Sequence, residues 1–267
     1  MPIITKTQGT LEYLVAENIS APHCFTTRLG GVSQGYLASM NIGTSRGDSR
    51  ENVLENYRIL GRAIGFAPEN LVLTHQTHTD IVRVVGAAHW GAGLFVPGLD
   101  ECDALVTNEP GTGLTVFTAD CTPILLHDPV TGAVGAAHAG WQGTAADIAG
   151  KTVAAMVENF GCKPENIRAA IGPNIKQCCF ETDRDVPEAM IAALGDRAKP
   201  FILSAGQKYY VNLSAMNTLF LQRAGVTAIE VAPDCTACRP DRYWSHRKVG
   251  LDRGSQGAII ICKEGTL

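Results

Sequence analysis

Short apolar runs separated by Gly- and Pro-marked breaks dominate the chain, and long amphipathic stretches are few. Residues 11–16 and 22–27 read as strands, because brief apolar or β-branched runs bounded by turn residues suit a half-buried extended segment. Val53, Tyr57, Leu60 and Ile64 recur at helical spacing, after Asp48 and Glu51 in capping-box spacing and before a closing Gly65. Further strands are expected at 71–73, 81–85, 103–106, 115–117, 167–171, 228–232 and 258–262. Thr144 and Asp147 precede a helix of about four turns that ends near Gly161. Another helix starts near Pro187 and stops at Gly195, and Leu213, Met216, Leu219 and Phe220 mark one more before Gly225. Strands outnumber helices and adjoin by hairpins, which argues for an α+β layered fold over a doubly wound parallel sheet. No repeat or long polar linker divides the chain, so one domain over residues 1–267 is expected.

One hairpin carries chemistry. The segment T-A-D-C-T-P-I-L-L-H-D-P reads as a buried strand opened by Cys121. Pro129, Val130, Thr131 and Gly132 read as a turn, and A-V-G-A-A-H-A-G-W as the return strand carrying His138. A hairpin centred near residue 130 is expected to place Cys121 almost directly across from His138, with Cβ atoms roughly 5 Å apart. His78, in L-T-H-Q-T-H-T-D, lies at the mouth of another apolar strand. A thiolate with two imidazoles suits a tetrahedral zinc with one open position. The Cys–His pair alone also suits a nucleophilic dyad. His78, as a third donor, turns the reading toward metal. His75 is three residues from His78 and in a strand would point the other way, as a substrate contact or a structural His. His127 reads as a surface residue, and His23, His89 and His246 are given no ligand role.

Composition narrows the partners. Net charge is −4 and no basic tract exists, which speaks against nucleic acid or anionic membrane. No apolar run reaches spanning length, and the start M-P-I-I-T-K-T-Q-G-T-L lacks the pattern of a secretory signal. Nine scattered cysteines without framework spacing read as reduced thiols, and the expected location is cytoplasmic. Cys235 and Cys238 have zinc-ligand spacing. Adjacent Cys178 and Cys179 point to opposite faces if extended, so packed core thiols are the preferred reading of these four. Arg28, beside Gly30 and Gly31 and followed by Ser33, lies in a loop suited to a phosphate or a sugar hydroxyl. Arg46 and the nearby helix start add anion donors.

The linked motifs F-T-T-R-L-G-G-V-S-Q-G, H-Q-T-H, T-A-D-C-T-P, A-A-H-A-G-W-Q-G-T, I-G-P-N-I-K-Q-C-C-F-E and C-T-A-C followed by W-S-H-R span residues from about 24 to 262. In this order they resemble the laccase-domain family, also called YfiH-like or multicopper polyphenol oxidase. The resemblance implies an α/β/β/α sandwich and one zinc held by His78, Cys121 and His138. It implies phosphorolysis of purine nucleosides (inosine, guanosine, adenosine, methylthioadenosine) with phosphate, together with adenosine deamination. Arg28 joins the catalytic set, and Arg28, Ser33, Asn41, His75 and Gln142 are the substrate-binding candidates. Gln142 stands where the family usually has Arg or Lys, and Phe180 where Tyr is common. Copper is the less favoured metal, because the chain has only seven His, most of them unpaired. The alternative implied by the resemblance is a Cys–His amidase editing peptidoglycan precursors, with Cys121 as nucleophile. A third reading is a sensor that keeps the metal site without turnover.

Overall fold

The computed structural model describes residues 3–263. In chain order its elements are β1 (Ile3–Gln8), β2 (Leu11–Ala16), β3 (His23–Thr26), α1 (Arg50–Ile64), β4 (Leu71–Leu73), β5 (Val82–Val84), β6 (Ala104–Thr107), β7 (Gly113–Thr118), β8 (Thr122–His127), β9 (Val134–Ala139), α2 (Trp141–Ala145), α3 (Ile148–Phe160), β10 (Arg168–Ile171), β11 (Glu181–Thr182), α4 (Asp185–Leu194), β12 (Ile202–Ala205), β13 (Lys208–Val211), α5 (Leu213–Arg223), β14 (Ala228–Val231), α6 (His246–Val249) and β15 (Gln256–Ile261). One six-stranded sheet runs β1-β2-β3-β15-β7-β4, a second runs β14-β10-β8-β9-β6-β5, and β11-β13-β12 form a small third sheet.

Strand alternation builds the layers. Ala258 and Ile260 of β15 face the space between the two large sheets, while Ile259 and Ile261 pack toward α1 with Val53, Tyr57 and Leu60. Leu125, Val134 and Ala136 fill the same inter-sheet space from the second sheet, while Ile124, Leu126 and Ala137 meet α3, α4 and α5. The order is therefore helix, sheet, sheet, helices: an α/β/β/α sandwich. Each fully buried large side chain, such as Leu60 or Phe220, contributes about 1.5–3 kcal/mol through removal from water.

Helix boundaries follow local chemistry. Ser49, one residue beyond the expected Asp48, caps α1 by accepting from Asn52 N, and Gly65 closes it in the left-handed region at φ 91°. Asp48 is instead tied to Ser33 and Asn41. Asp147 caps α3 through Gly150 N. Short α2, which the Thr144 pattern gave no sign of, precedes it. β1, the small third sheet and α6 also lie outside the sequence expectation. Among the described residues no helix is long and apolar enough to cross a membrane.

Topology determines where chemistry gathers. β4 and β7 belong to the first sheet and run parallel, while the strands that follow them, β5 and β8, belong to the second. The connectors 74–81 and 119–121 therefore both cross the seam between sheets, at one end of the sandwich. β9 terminates at that same end.

Candidate active site

His78 lies on the first connector, Cys121 on the second, and His138 near the end of β9. Their ligand atoms all lie within 4.8 Å of one another. Cys121 Sγ is 3.9 Å from His78 Nε2, and the two imidazoles meet edge to face at 5.0 Å between centroids. The hairpin register differs from the expectation by two residues: His138 pairs with Pro123, not Cys121. The grouping survives because a two-residue shift keeps a side chain on the same face, and diagonal neighbours remain within reach. His138 is buried while His78 is open to solvent, so the cluster has a closed and an accessible side.

Asp103 organises this cluster. β6 pairs antiparallel with β9, which brings the residue just before β6 alongside His138. The Asp103 carboxylate accepts from Thr77 N at 3.1 Å, His78 N at 3.2 Å, Thr79 N at 2.8 Å and Thr79 Oγ1 at 2.8 Å. It also meets His138 Nδ1 at 2.7 Å, which leaves Nε2 of that ring for the cluster. These bonds hold His78 at φ 64°, an unfavourable value for a non-glycine residue. The 74–81 connector is not a strand, so the expected alternation of His75 and His78 does not apply. Gln76 pins it to β7, accepting from Phe117 N at 2.6 Å and donating to Phe117 O at 2.8 Å.

The second connector is held as firmly. Asp120 has φ 93° and accepts from Thr236 Oγ1 and Arg247 N, each at 2.6 Å. Strained backbone of this kind persists where the surroundings over-determine it, and of the three such non-glycine residues among the described ones His78 belongs to the cluster and Asp120 adjoins it. Gly140 follows from the same crowding: a Cβ there would lie 2.7 Å from His78 Cδ2 and 3.5 Å from Cys121 Sγ.

Electrostatics favour a deprotonated thiol. Burial pushes the Cys121 thiol up, but the charged His138 ring and the bond to His78 outweigh it and bring the thiol down to about 6. Burial pushes His138 down, but the Cys121 thiolate and the Asp103 carboxylate raise it to about 9. These opposed shifts favour a thiolate beside an imidazolium when no metal is bound. A thiolate is also the form in which Cys binds metal.

Two cavities meet at the cluster. One of about 470 Å³ is lined by Arg46, His75, Gln76 and Arg253 as well as His78, Cys121 and His138. Arg253 is brought down to about 10 by burial and by the like charge of Arg46, and its buried Nε has no hydrogen-bond partner among the described residues. The other cavity, about 340 Å³, is lined by Trp141, Gln142, Ile175, Phe180, Leu213 and His246 alongside His78 and Cys121.

Of the substrate-binding candidates, His75 lines the first cavity and Gln142 the second. Arg28, Ser33 and Asn41 do not line either cavity. The Arg28 guanidinium stacks over Trp244 at 3.9 Å and donates to Pro240 O and Ala38 O, so its fork is committed to the protein itself. Ser33 donates to Asp48 at 2.6 Å. The Asn41 side-chain oxygen accepts from Gly43 N and Ser255 N, which ties the Gly-rich loop to the start of β15. His127 is buried, contrary to the surface reading, and burial lowers its pKa to about 4. His246, given no role, lines the second cavity. Sequence reasoning missed Asp103, Arg253, Gln76 and Arg247. A carboxylate opening the apolar run D-A-L-V was the one available signal for Asp103.

The family pattern described as multi-copper polyphenol oxidoreductase laccase matches residues 22–263. A Deinococcus radiodurans protein named purine nucleoside phosphorylase is 39% identical over 94% of this chain and 92% of its own length. A Bacteroides thetaiotaomicron protein of the same name is 35% identical, covering 94% and 95%. The crystal structure of YlmD from Geobacillus stearothermophilus superposes with a TM-score of 0.92 at 33% identity, covering 98% of this chain and all of that one.

Proposed function

The chain belongs to the multi-copper polyphenol oxidoreductase laccase family, and from that premise we propose that it is a zinc-dependent purine nucleoside phosphorylase. One catalytic domain spanning 1–267 would carry the activity in the cytoplasm, with inosine, guanosine, adenosine and methylthioadenosine as substrates and adenosine deamination as a second reaction. In phosphorolysis a phosphate oxygen forms a bond to C1′ of the ribose while the bond from C1′ to the purine nitrogen breaks. The purine leaves with a proton, and the sugar departs as its 1-phosphate.

The observation that carries the reading is the meeting of two unlike cavities at His78 and Cys121. Arg46 and Arg253 supply paired cations on one side, suited to a phosphate. Trp141, Ile175, Phe180 and Leu213 supply an apolar wall on the other, suited to the faces of a purine. Gln142 and His246 along that wall supply polar groups for its edge. The ribose would then lie between, beside His78 and Cys121.

The donor set fits zinc. One thiolate and two imidazoles within reach of one point leave a fourth position open, and the Asp103–His138 bond is the carboxylate–imidazole support that metal-ligating His residues use. Three such donors do not make the His-rich set of a multicopper centre, so zinc is favoured over copper despite the family's name. When bound, zinc would polarise an oxygen ligand and lower the pKa of water at the site. Asp103 fixes the His138 tautomer, and the seam between sheets excludes water from one side of the cluster.

The thiolate–imidazolium pair of Cys121 and His138 also favours a second reading, a Cys–His amidase acting on a peptidoglycan precursor. One experiment separates them. Protein of measured zinc content is incubated with inosine and with adenosine, with and without phosphate, and the products are resolved chromatographically. Phosphate-dependent release of hypoxanthine and adenine supports the phosphorylase. Inert nucleosides together with amide hydrolysis by metal-free protein would replace it with the amidase.

A further inference from the structure

Four cysteines converge beside the active site without belonging to it. Cys178 and Cys179 lie in the loop after β10, and Cys235 and Cys238 in the loop after β14. All four sulfurs lie within 4.8 Å of one another. Three of the separations are 3.8 Å for Cys178–Cys179, 3.7 Å for Cys178–Cys238 and 3.3 Å for Cys179–Cys238. A tetrahedral zinc with Zn–S bonds of about 2.3 Å sets its sulfurs about 3.8 Å apart.

The expectation of packed core thiols fails on two counts. Cys178 and Cys238 are exposed, whereas thiols serving as small hydrophobes are buried. Residues 176–180 are also not extended: Cys179 N and Phe180 N both donate to Lys176 O at 2.9 Å, and this tight turn brings adjacent thiols to one side. Cys235 accepts from Lys176 N at 3.3 Å, a backbone bond of the sort that supports a metal-bound sulfur. The Lys176 ammonium is held nearby by Asn174 and Ser214, a cation beside what would be an anionic centre.

We infer that Cys178, Cys179, Cys235 and Cys238 hold a second zinc ion in a closed, four-thiolate structural site. Four sulfurs around one point leave no open position, which separates this site from the His78/Cys121/His138 cluster. Its role follows from what the two loops touch. Thr236, inside the C-x-x-C, donates to Asp120 Oδ1. Arg247 donates from its backbone to Asp120 Oδ2 and from its guanidinium to Cys179 O and Glu181 O. Phe180, next to Cys179, lines the apolar cavity. The apolar packing of these loops is small, with Ile175, Cys235 and Ala237 at its centre. The ion therefore clamps the turn that presents Cys121 and the wall of the second cavity.

The test counts metal in a full-length His78→Ala/Cys121→Ala variant, so its outcome does not depend on the catalytic site. Purified from zinc-supplemented cells, this variant should retain one equivalent of zinc. Cobalt exchanged into it should give the intense visible bands of a tetrahedral tetrathiolate centre. Adding Cys235→Ser and Cys238→Ser should abolish both signals. Should that variant fold poorly, thiol labelling of the His78→Ala/Cys121→Ala protein decides: the four cysteines should resist reagent until a chelator is added. A metal-free His78→Ala/Cys121→Ala protein with four freely reactive thiols would overturn the inference. So would iron in place of zinc, or a Cys179–Cys238 disulfide in the unreduced mass spectrum.

Discussion

Replacing Asp103 with Asn leaves the shape of the side chain and removes one of its two acceptors. Oδ2 of Asp103 accepts from Thr77 N, Thr79 N and Thr79 Oγ1, while Oδ1 serves His78 N and His138 Nδ1. Whichever way the new amide points, its NH2 faces at least two donors and leaves them unpaired. Each buried unpaired donor costs about 1–3 kcal/mol, and breaking a buried charge pair by removing one partner costs about 3–5 kcal/mol. Asp103→Asn is therefore expected to lower the stability of the metal-free protein by about 3–5 kcal/mol in urea unfolding at neutral pH. Zinc affinity should fall by roughly ten- to a hundredfold in a competition titration, as when other supports of metal-bound His are lost. The pH dependence has a definite sign. Burial alone would raise the Asp103 pKa, but the His138 and Thr79 bonds outweigh it and hold it at about 2, below the ordinary 3.8. That depression is worth about 2 kcal/mol. It is fully present above pH 4 and is lost as pH falls through 2, so the wild-type advantage over the variant should shrink across that window. A variant within about 0.5 kcal/mol of wild type, a change no larger than an ordinary surface substitution makes, and with unchanged zinc affinity would refute the role given to Asp103.

Gly140→Ala should cut zinc affinity and turnover at least tenfold while far-UV circular dichroism is preserved, because its Cβ would press on His78; wild-type zinc binding would contradict this. Arg253→Gln should raise the KM for phosphate about tenfold, near 1.4 kcal/mol, with zinc content unchanged; an unaltered phosphate KM would remove Arg253 from the anion site. Arg28→Ala should cost about 1–3 kcal/mol of stability through the lost Trp244 stacking and carbonyl bonds and leave kcat/KM near wild type. A tenfold loss of kcat/KM in a fully folded Arg28→Ala protein would return that residue to the substrate.

Much of the layered fold is legible because alternation and glycine punctuation are local signals. α1 is marked by its apolar stripe and by Gly65, and α3 by Asp147 and Gly161. β1 and the short strands of the third sheet escape because they are exposed, with too little alternation to register. The approach of Cys121 to His138 is legible through the hairpin, although the register places Pro123 opposite His138, and His78 joins them from the separate connector between β4 and β5. What surrounds them is not. Asp103 reaches His138 only through the β6–β9 pairing, and Arg253 reaches the cavity only through the loop before β15. Arg28 misled for the converse reason: a cation in a Gly-rich loop reads as a ligand donor until Trp244, more than two hundred residues away, is seen beneath it. The four cysteines read as core thiols in the sequence because the turn at Lys176 overrides the extended geometry assumed for adjacent residues.

The central claim is that the His78/Cys121/His138 cluster supports phosphorolysis with a metal in place. The most direct test measures ribose 1-phosphate against free purine base as the protein consumes inosine in phosphate buffer, before chelation, after it, and after zinc is restored. The account predicts equimolar products, loss of both on chelation and recovery of both with zinc. Free ribose in place of the sugar phosphate, or turnover that survives complete removal of the metal, would contradict it.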